Sequence, residues 1–175
     1  MKCKRRVGRF MALASATILA THFTAKELGA DNPAATDAVV RNLYTVAAWL
    51  EVARGIINEG RPASEPEHPF LITSGYRTPE HNAEVGGVAT SDHPNGLAAD
   101  FKVGGLTPYQ VYTRLQKAAA DGRLPAFDQL IWYALDDHIH VGLGSQLRGQ
   151  FLFKTTEGSY TSLVSSAVRQ LRGYV

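Results

Sequence analysis

The sequence predicts an α+β fold: a small, mostly antiparallel sheet packed against helices. Three observations predict it. The strong helical periodicity falls early in the chain. The strand-like segments cluster later, separated by a single helix. No regular strand-helix-strand alternation runs through the chain, and no Gly-rich phosphate loop follows a strand.

The elements follow in order. Thr24 with Glu27 three residues on is a capping box, and Gly29 is a helix stop, so a short helix is expected between them. Asn32-Pro33 has the form of an N-cap followed by the first helical residue. Val39, Leu43, Val46, Leu50, Ala53 and Ile57 then recur at steps of three and four, the apolar stripe of a long amphipathic helix. Residues 60–68 form a loop rich in Pro and Glu. Residues 70–76 are a strand candidate. Thr78-Pro79 opens a helical turn that Gly86-Gly87 ends, and a polar loop with Ser91, Asp92 and His93 follows. Residues 97–103 are a second strand. Thr107-Pro108 starts a helix with Val111, Leu115 and Ala118 on one face, closed by Gly122. Residues 129–134 and 138–143 are two more strands, with Asp136-Asp137 between them. From Gly149 onward the pattern is indistinct.

A length of 175 residues suits one domain with one core. Apolar content of 45% and charged content of 19% are those of an ordinary globular chain. The net charge of +2 hides an asymmetry: Lys2, Lys4, Arg5, Arg6 and Arg9 crowd the start, and without them the chain is mildly acidic. No nucleic-acid-binding surface is expected from such a body. The basic start precedes an apolar stretch, residues 10–20, that is too short to span a bilayer. Residues 1–20 therefore have the form of an export signal or a leader, with residues 21–175 as the single domain. Export would take the protein to the periplasm or cell envelope; without it, a phage-encoded protein or release at lysis is the alternative. Cys3 is the lone cysteine, so neither an internal disulfide nor a Cys-based metal cage is available.

Three metal-competent groups stand in places that can converge. His93 lies in a loop, Asp100 in a strand and His140 in the last strand. Two imidazoles and a carboxylate leave one tetrahedral zinc position open for water. Asp100 is flanked by Ala98, Ala99, Phe101 and Val103, and a carboxylate on such a strand needs a partner: a metal, Arg77 or solvent. His138 and His140 share one face of their strand because strand side chains alternate. Arg77, just past a strand end, can hold a carboxylate or a developing oxyanion.

Taken together, Ser74-Gly-Tyr-Arg77, then Ser91-Asp-His-Pro-Asn-Gly-Leu-Ala-Ala-Asp100, then His138-Ile-His140 resemble the zinc D-Ala-D-Ala carboxypeptidase and L-alanyl-D-glutamate peptidase family, peptidase family M15. The family stretch S-x-H-x-x-G-x-A-x-D is met at Ser91, His93, Gly96, Ala98 and Asp100, and the lead-in from His22 and the segment Asn82 to Gly87 are similar to the bacterial and phage branch. The resemblance covers residues 21–145. It implies the compact α+β fold shared with the hedgehog signalling domain, and zinc on His93, Asp100 and His140. It implies catalytic roles for Arg77 and His138, substrate contacts from Arg77, Ser91 and Tyr76, and peptidoglycan stem peptides as substrate. The general base of the family usually stands three residues before the last ligand, which is Asp137 here. Asp136 is the second candidate, because in a straight strand it shares a face with His138 and His140. Where many relatives place a Glu, this chain has Tyr133. A carboxypeptidase or an endolysin-type endopeptidase, acting as a monomer without a membrane span, is the expectation. A non-catalytic zinc-binding module of the same fold, or a phage structural or lytic component, is the alternative.

Overall fold

A computed structural model describes residues 13–155 and 161–162. The basic start of the chain lies outside the described residues. The fold begins with strands β1 (Ile18–Ala20) and β2 (Phe23–Thr24), which pair antiparallel. Helix α1 (Ala25–Leu28) carries the expected capping box: Thr24 accepts from the Glu27 amide, the Glu27 carboxylate accepts from the Thr24 amide, and Gly29 at φ 75° closes the turn.

Helix α2 (Asp37–Asn58) starts later than Asn32-Pro33 predicts. Thr36 is its cap, accepting from the Val39 amide, while Asn32 accepts from the Ala34 amide in a separate turn. Both residues have cap chemistry; the chain uses Asn32 to turn and Thr36 to start the helix. All six stripe residues of α2 are buried. Strand β3 (Phe70–Ser74), short helix α3 (Pro79–Glu84), a single 3₁₀ turn (His93–Asn95) and strand β4 (Ala98–Val103) follow. Helix α4 (Pro108–Ala120) is capped by Thr107 and Gln110. Strands β5 (Gln129–Tyr133) and β6 (His138–Gly142) form a hairpin.

The segment with no clear sequence pattern supplies two further strands, β7 (Gln150–Lys154) and β8 (Thr161–Ser162). The six-stranded sheet runs β3-β4-β6-β5-β7-β8. It is antiparallel except for β5 and β7, which pair parallel, so the sheet is mixed and mostly antiparallel as expected.

The sheet has two chemically opposed faces. On one, Phe70, Phe101, Val103, Leu130, Trp132, Ile139, Val141 and Phe153 join Leu43, Leu50, Ile57, Val111 and Leu115 from α2 and α4 in one core. Phe70 stacks on Phe101 at 5.0 Å, and Trp132 lies 4.7 Å from Phe153. The other face carries the alternate residues of the same strands: Asp100, His138, His140, Ile131, Tyr133 and Lys154. These line a cleft of about 790 Å³. No helix among the described residues is long and apolar enough to cross a membrane.

Candidate functional site

The register puts Asp100 opposite His140 on β4 and β6, and Ser74 opposite Asp100 on β3 and β4. His93 arrives from the 3₁₀ turn. The ligand atoms of His93, Asp100 and His140 all lie within 4.8 Å of one another, and all three residues are buried. The two imidazole rings sit 5.1 Å apart.

Each side chain is held in place by a second group. His93 Nδ1 lies 2.6 Å from the Gly75 carbonyl, which can only accept. The proton is therefore on Nδ1, and Nε2 turns its lone pair toward Asp100 at 3.3 Å. His140 Nδ1 lies 2.8 Å from the same oxygen of Asp100. The other Asp100 oxygen accepts from Arg77, whose Nε–H donates to Ser74 Oγ at 2.7 Å. Burial opposes charge on Asp100, but the neighbouring His140 and His93 imidazoles outweigh it and hold the carboxyl well below its usual range. An ionised carboxylate between two imidazoles is a donor set that suits zinc and leaves a coordination position open.

The motif residues around the ligands have local reasons. Ser91 Oγ accepts from the His93 amide. Gly96 takes φ 66°, and a Cβ there would stand 2.7 Å from the Val39 carbonyl oxygen of α2. Only glycine lets the loop turn that close to the helix. Ala98 is fully buried opposite Gly142. Gly75 passes so near α1 that a Cβ would meet the Leu28 carbonyl oxygen at 2.3 Å, which fixes the carbonyl that orients His93. Gly87 leaves room for Asn82, whose side-chain amide donates to the Val88 carbonyl and shapes the adjoining loop.

Residues 21–142 match the family model described as Peptidase M15. The chain belongs to peptidase family M15. No curated protein matches it significantly. The family is one of peptidases that depend on zinc in general, and the buried His93–Asp100–His140 group of this M15 chain has the donors for such an ion.

Arg77, Ser91 and His138 line the same cleft as the three ligands. Burial holds the His138 imidazole below its ordinary value, against the opposing pull of Asp100 and Asp136. Tyr133 stacks on His138 at 4.6 Å with the rings nearly parallel. Two expected residues are not brought to the cleft. Tyr76 turns its hydroxyl to the Ala34 carbonyl. Asp137 pairs with Lys102 at 3.7 Å and borders a separate cleft with Leu106, Pro108, Tyr109 and Trp132. Asp137 takes φ 54° in the turn between β5 and β6, a left-handed conformation, and lies off the face that alternation gives to Asp136, His138 and His140. Asp136 is the acid of that turn that lines the cleft.

Asp92, Asp128 and Arg148 are among the cleft residues with no counterpart in the expectations. Asp92 accepts from the Gly144 amide, and burial raises its carboxyl above the ordinary value. Asp128, buried just before β5, forms a two-bond ion pair with Arg148. Asp92 adjoins His93 in the motif, which was a usable signal. Asp128 and Arg148 are twenty residues apart, and no local pattern joins them.

Proposed function

We propose that this chain is a zinc-dependent peptidase that hydrolyses peptidoglycan stem peptides, with D,D-carboxypeptidase or L-Ala-D-Glu endopeptidase activity. The observation that carries the reading is the buried three-donor group opening on a cleft large enough for a short peptide, in a chain of a peptidase family. Zinc held by His93, Asp100 and His140 would lower the pKa of a water and polarise the scissile carbonyl.

The protein groups divide the remaining work. The Gly75 carbonyl keeps the His93 tautomer, and Arg77 holds and aims Asp100. Arg77 Nε and one terminal nitrogen are occupied by Ser74 and Asp100, so its contribution to the substrate comes from its remaining N–H groups. Asp136 takes the proton of the attacking water and passes it to the leaving amine. His138, stacked on Tyr133, faces the same space and stabilises the developing oxyanion.

Mass spectrometry of purified peptidoglycan, before and after incubation with the zinc-loaded protein, tests the reading. Released fragments that vanish with a chelator and return with added zinc support it. Stoichiometric zinc without any cleavage would leave a zinc-binding module of the same fold. The base is tested by two substitutions: Asp136→Asn lowers kcat by about a hundredfold or more, and Asp137→Asn changes it by no more than about threefold. The reverse ranking returns the role to Asp137.

A further inference from the structure

The cleft has one wall that the family-matched segment does not supply. Residues 144–146, Arg148 and Lys154 line it, and all lie beyond residue 142. The loop is tied firmly to the start of β5. The Gly149 amide donates to the Phe127 carbonyl at 2.9 Å, the Gln150 amide to the Asp128 carbonyl at 2.9 Å, and the Arg148 amide to Asp128 Oδ1 at 3.1 Å. Leu147 is held at φ 44°, a conformation that non-glycine residues adopt at a cost and that recurs where structure serves a site.

This strained turn presents Arg148. Its Nε–H and one terminal N–H donate to the two oxygens of Asp128, each at 2.7 Å. Asp128 is 5% exposed, whereas the Arg148 side chain is 44% exposed and faces the cleft. A guanidinium has five N–H donors in a rigid plane. The fork to Asp128 uses two, so three remain on a group that is already immobilised. Lys154, 5.2 Å above the Tyr133 ring at the far end of β7, adds a second cation to the cleft. A planar donor edge, fixed from behind by a buried acid, matches a carboxylate in charge and shape.

We propose that Arg148, braced by Asp128, is a specificity residue that binds a carboxylate of the peptide substrate. The proposal rests on the peptidase reading above and deepens it: the catalytic half of the cleft comes from the family-matched segment, and the selective half from the chain that follows. The ligand is a stem peptide with a free carboxyl, at its D-glutamate or at its C-terminus.

Calorimetry tests this without relying on hydrolysis. The probes are a synthetic pentapeptide L-Ala-γ-D-Glu-L-Lys-D-Ala-D-Ala and two versions amidated at one carboxyl each, with peptide integrity checked by mass spectrometry. The zinc-loaded wild-type protein should bind the free acid about tenfold or more tighter than one of the two amides, as a charge-assisted hydrogen bond would give. Arg148→Gln should erase that difference and leave affinity for the amide unchanged. Arg148→Lys, which keeps the charge but not the fork, should restore part of it. Equal weakening of acid and amide by Arg148→Gln, an unchanged preference, or no binding of any of the three peptides overturns the proposal. If the peptides bind with the expected discrimination but no cleavage is ever seen, the carboxylate site stands and the peptidase reading falls.

Discussion

The two faces of the six-stranded sheet are made of the same strands and differ in everything else. On β4, Ala99, Phe101 and Val103 turn into the core, while Asp100, between them in sequence, turns into the cleft. On β6, Ile139 and Val141 alternate with His138 and His140 in the same way. The period of two that builds the sheet thus sorts one set of residues for stability and another for chemistry. The core face is filled by close-packed apolar rings. The cleft face is held by hydrogen bonds that each fix a polar group against a rigid neighbour: His93 on Gly75, Asp100 on Arg77, Asp128 on Arg148. What this teaches is that the chemical face borrows its precision from the apolar one, since the strands that position it are anchored from behind.

The sharpest test separates the faces by what each loses. His140→Ala removes a donor from the cleft face and leaves the core untouched. Activity should fall by more than about a thousandfold, since several kcal/mol of transition-state stabilisation leave with the ion. Thermal melts give the second half of the test. In chelator the variant should melt close to the wild type. With zinc at a thousandfold excess over its dissociation constant, the wild type should gain about 4 kcal/mol and the variant little. A zinc-dependent gain that survives the substitution would remove His140 from the ligand set.

The opposite substitution is Phe101→Ala, one residue from Asp100. Phe101 is fully buried and stacked on Phe70. Its truncation should cost about 3–5 kcal/mol in denaturant unfolding, through lost transfer energy and the cavity left behind. Zinc bound per folded molecule should stay near that of the wild type. A large loss of zinc affinity in the folded fraction would show that the two faces are more strongly coupled than their alternation implies.

The parts of this molecule that were legible in its sequence are those set by short-range pattern. The α2 stripe, the caps at Thr24, Thr78 and Thr107, and the strand around Asp100 all follow from spacings within a few residues. His93, Asp100 and His140 were legible because a dense motif carries the first two and an alternating pair the third. The two acids of the β5–β6 turn were legible only in part: strand alternation put Asp136 on the face of His138 and His140, where it lines the cleft, while the family spacing pointed to Asp137, which pairs with Lys102. Strand β7 was missed although Phe151 and Phe153 alternate correctly, because its partner β5 lies some twenty residues back in a parallel pairing. The Asp128–Arg148 pair was invisible for the same reason: its meaning exists only once β7 is in place.

That pair also supplies the smallest test, one that probes the cleft wall rather than the His93–Asp100–His140 group. The hydrogen bonds from Arg148 hold the Asp128 carboxyl below its ordinary value in the folded protein. A carboxyl whose folded pKa is depressed contributes stability above its unfolded value, near 3.9, and loses it as pH falls through the folded value. Asp128→Asn should therefore destabilise the protein by about 1–2 kcal/mol at neutral pH, as bonds to a charged acceptor weaken. Arg148 is nearly half exposed, so solvent screening keeps the effect at the low end of that range. As pH falls from the unfolded value toward the depressed folded value the wild-type advantage is lost, and the gap between the two unfolding curves should narrow and then close. A gap that stays constant from pH 7 to pH 3 would mean that Asp128 acts through its shape and neutral hydrogen bonds alone. In that case the brace behind Arg148 is not electrostatic, and the loop is held by its backbone contacts to Phe127 and Asp128.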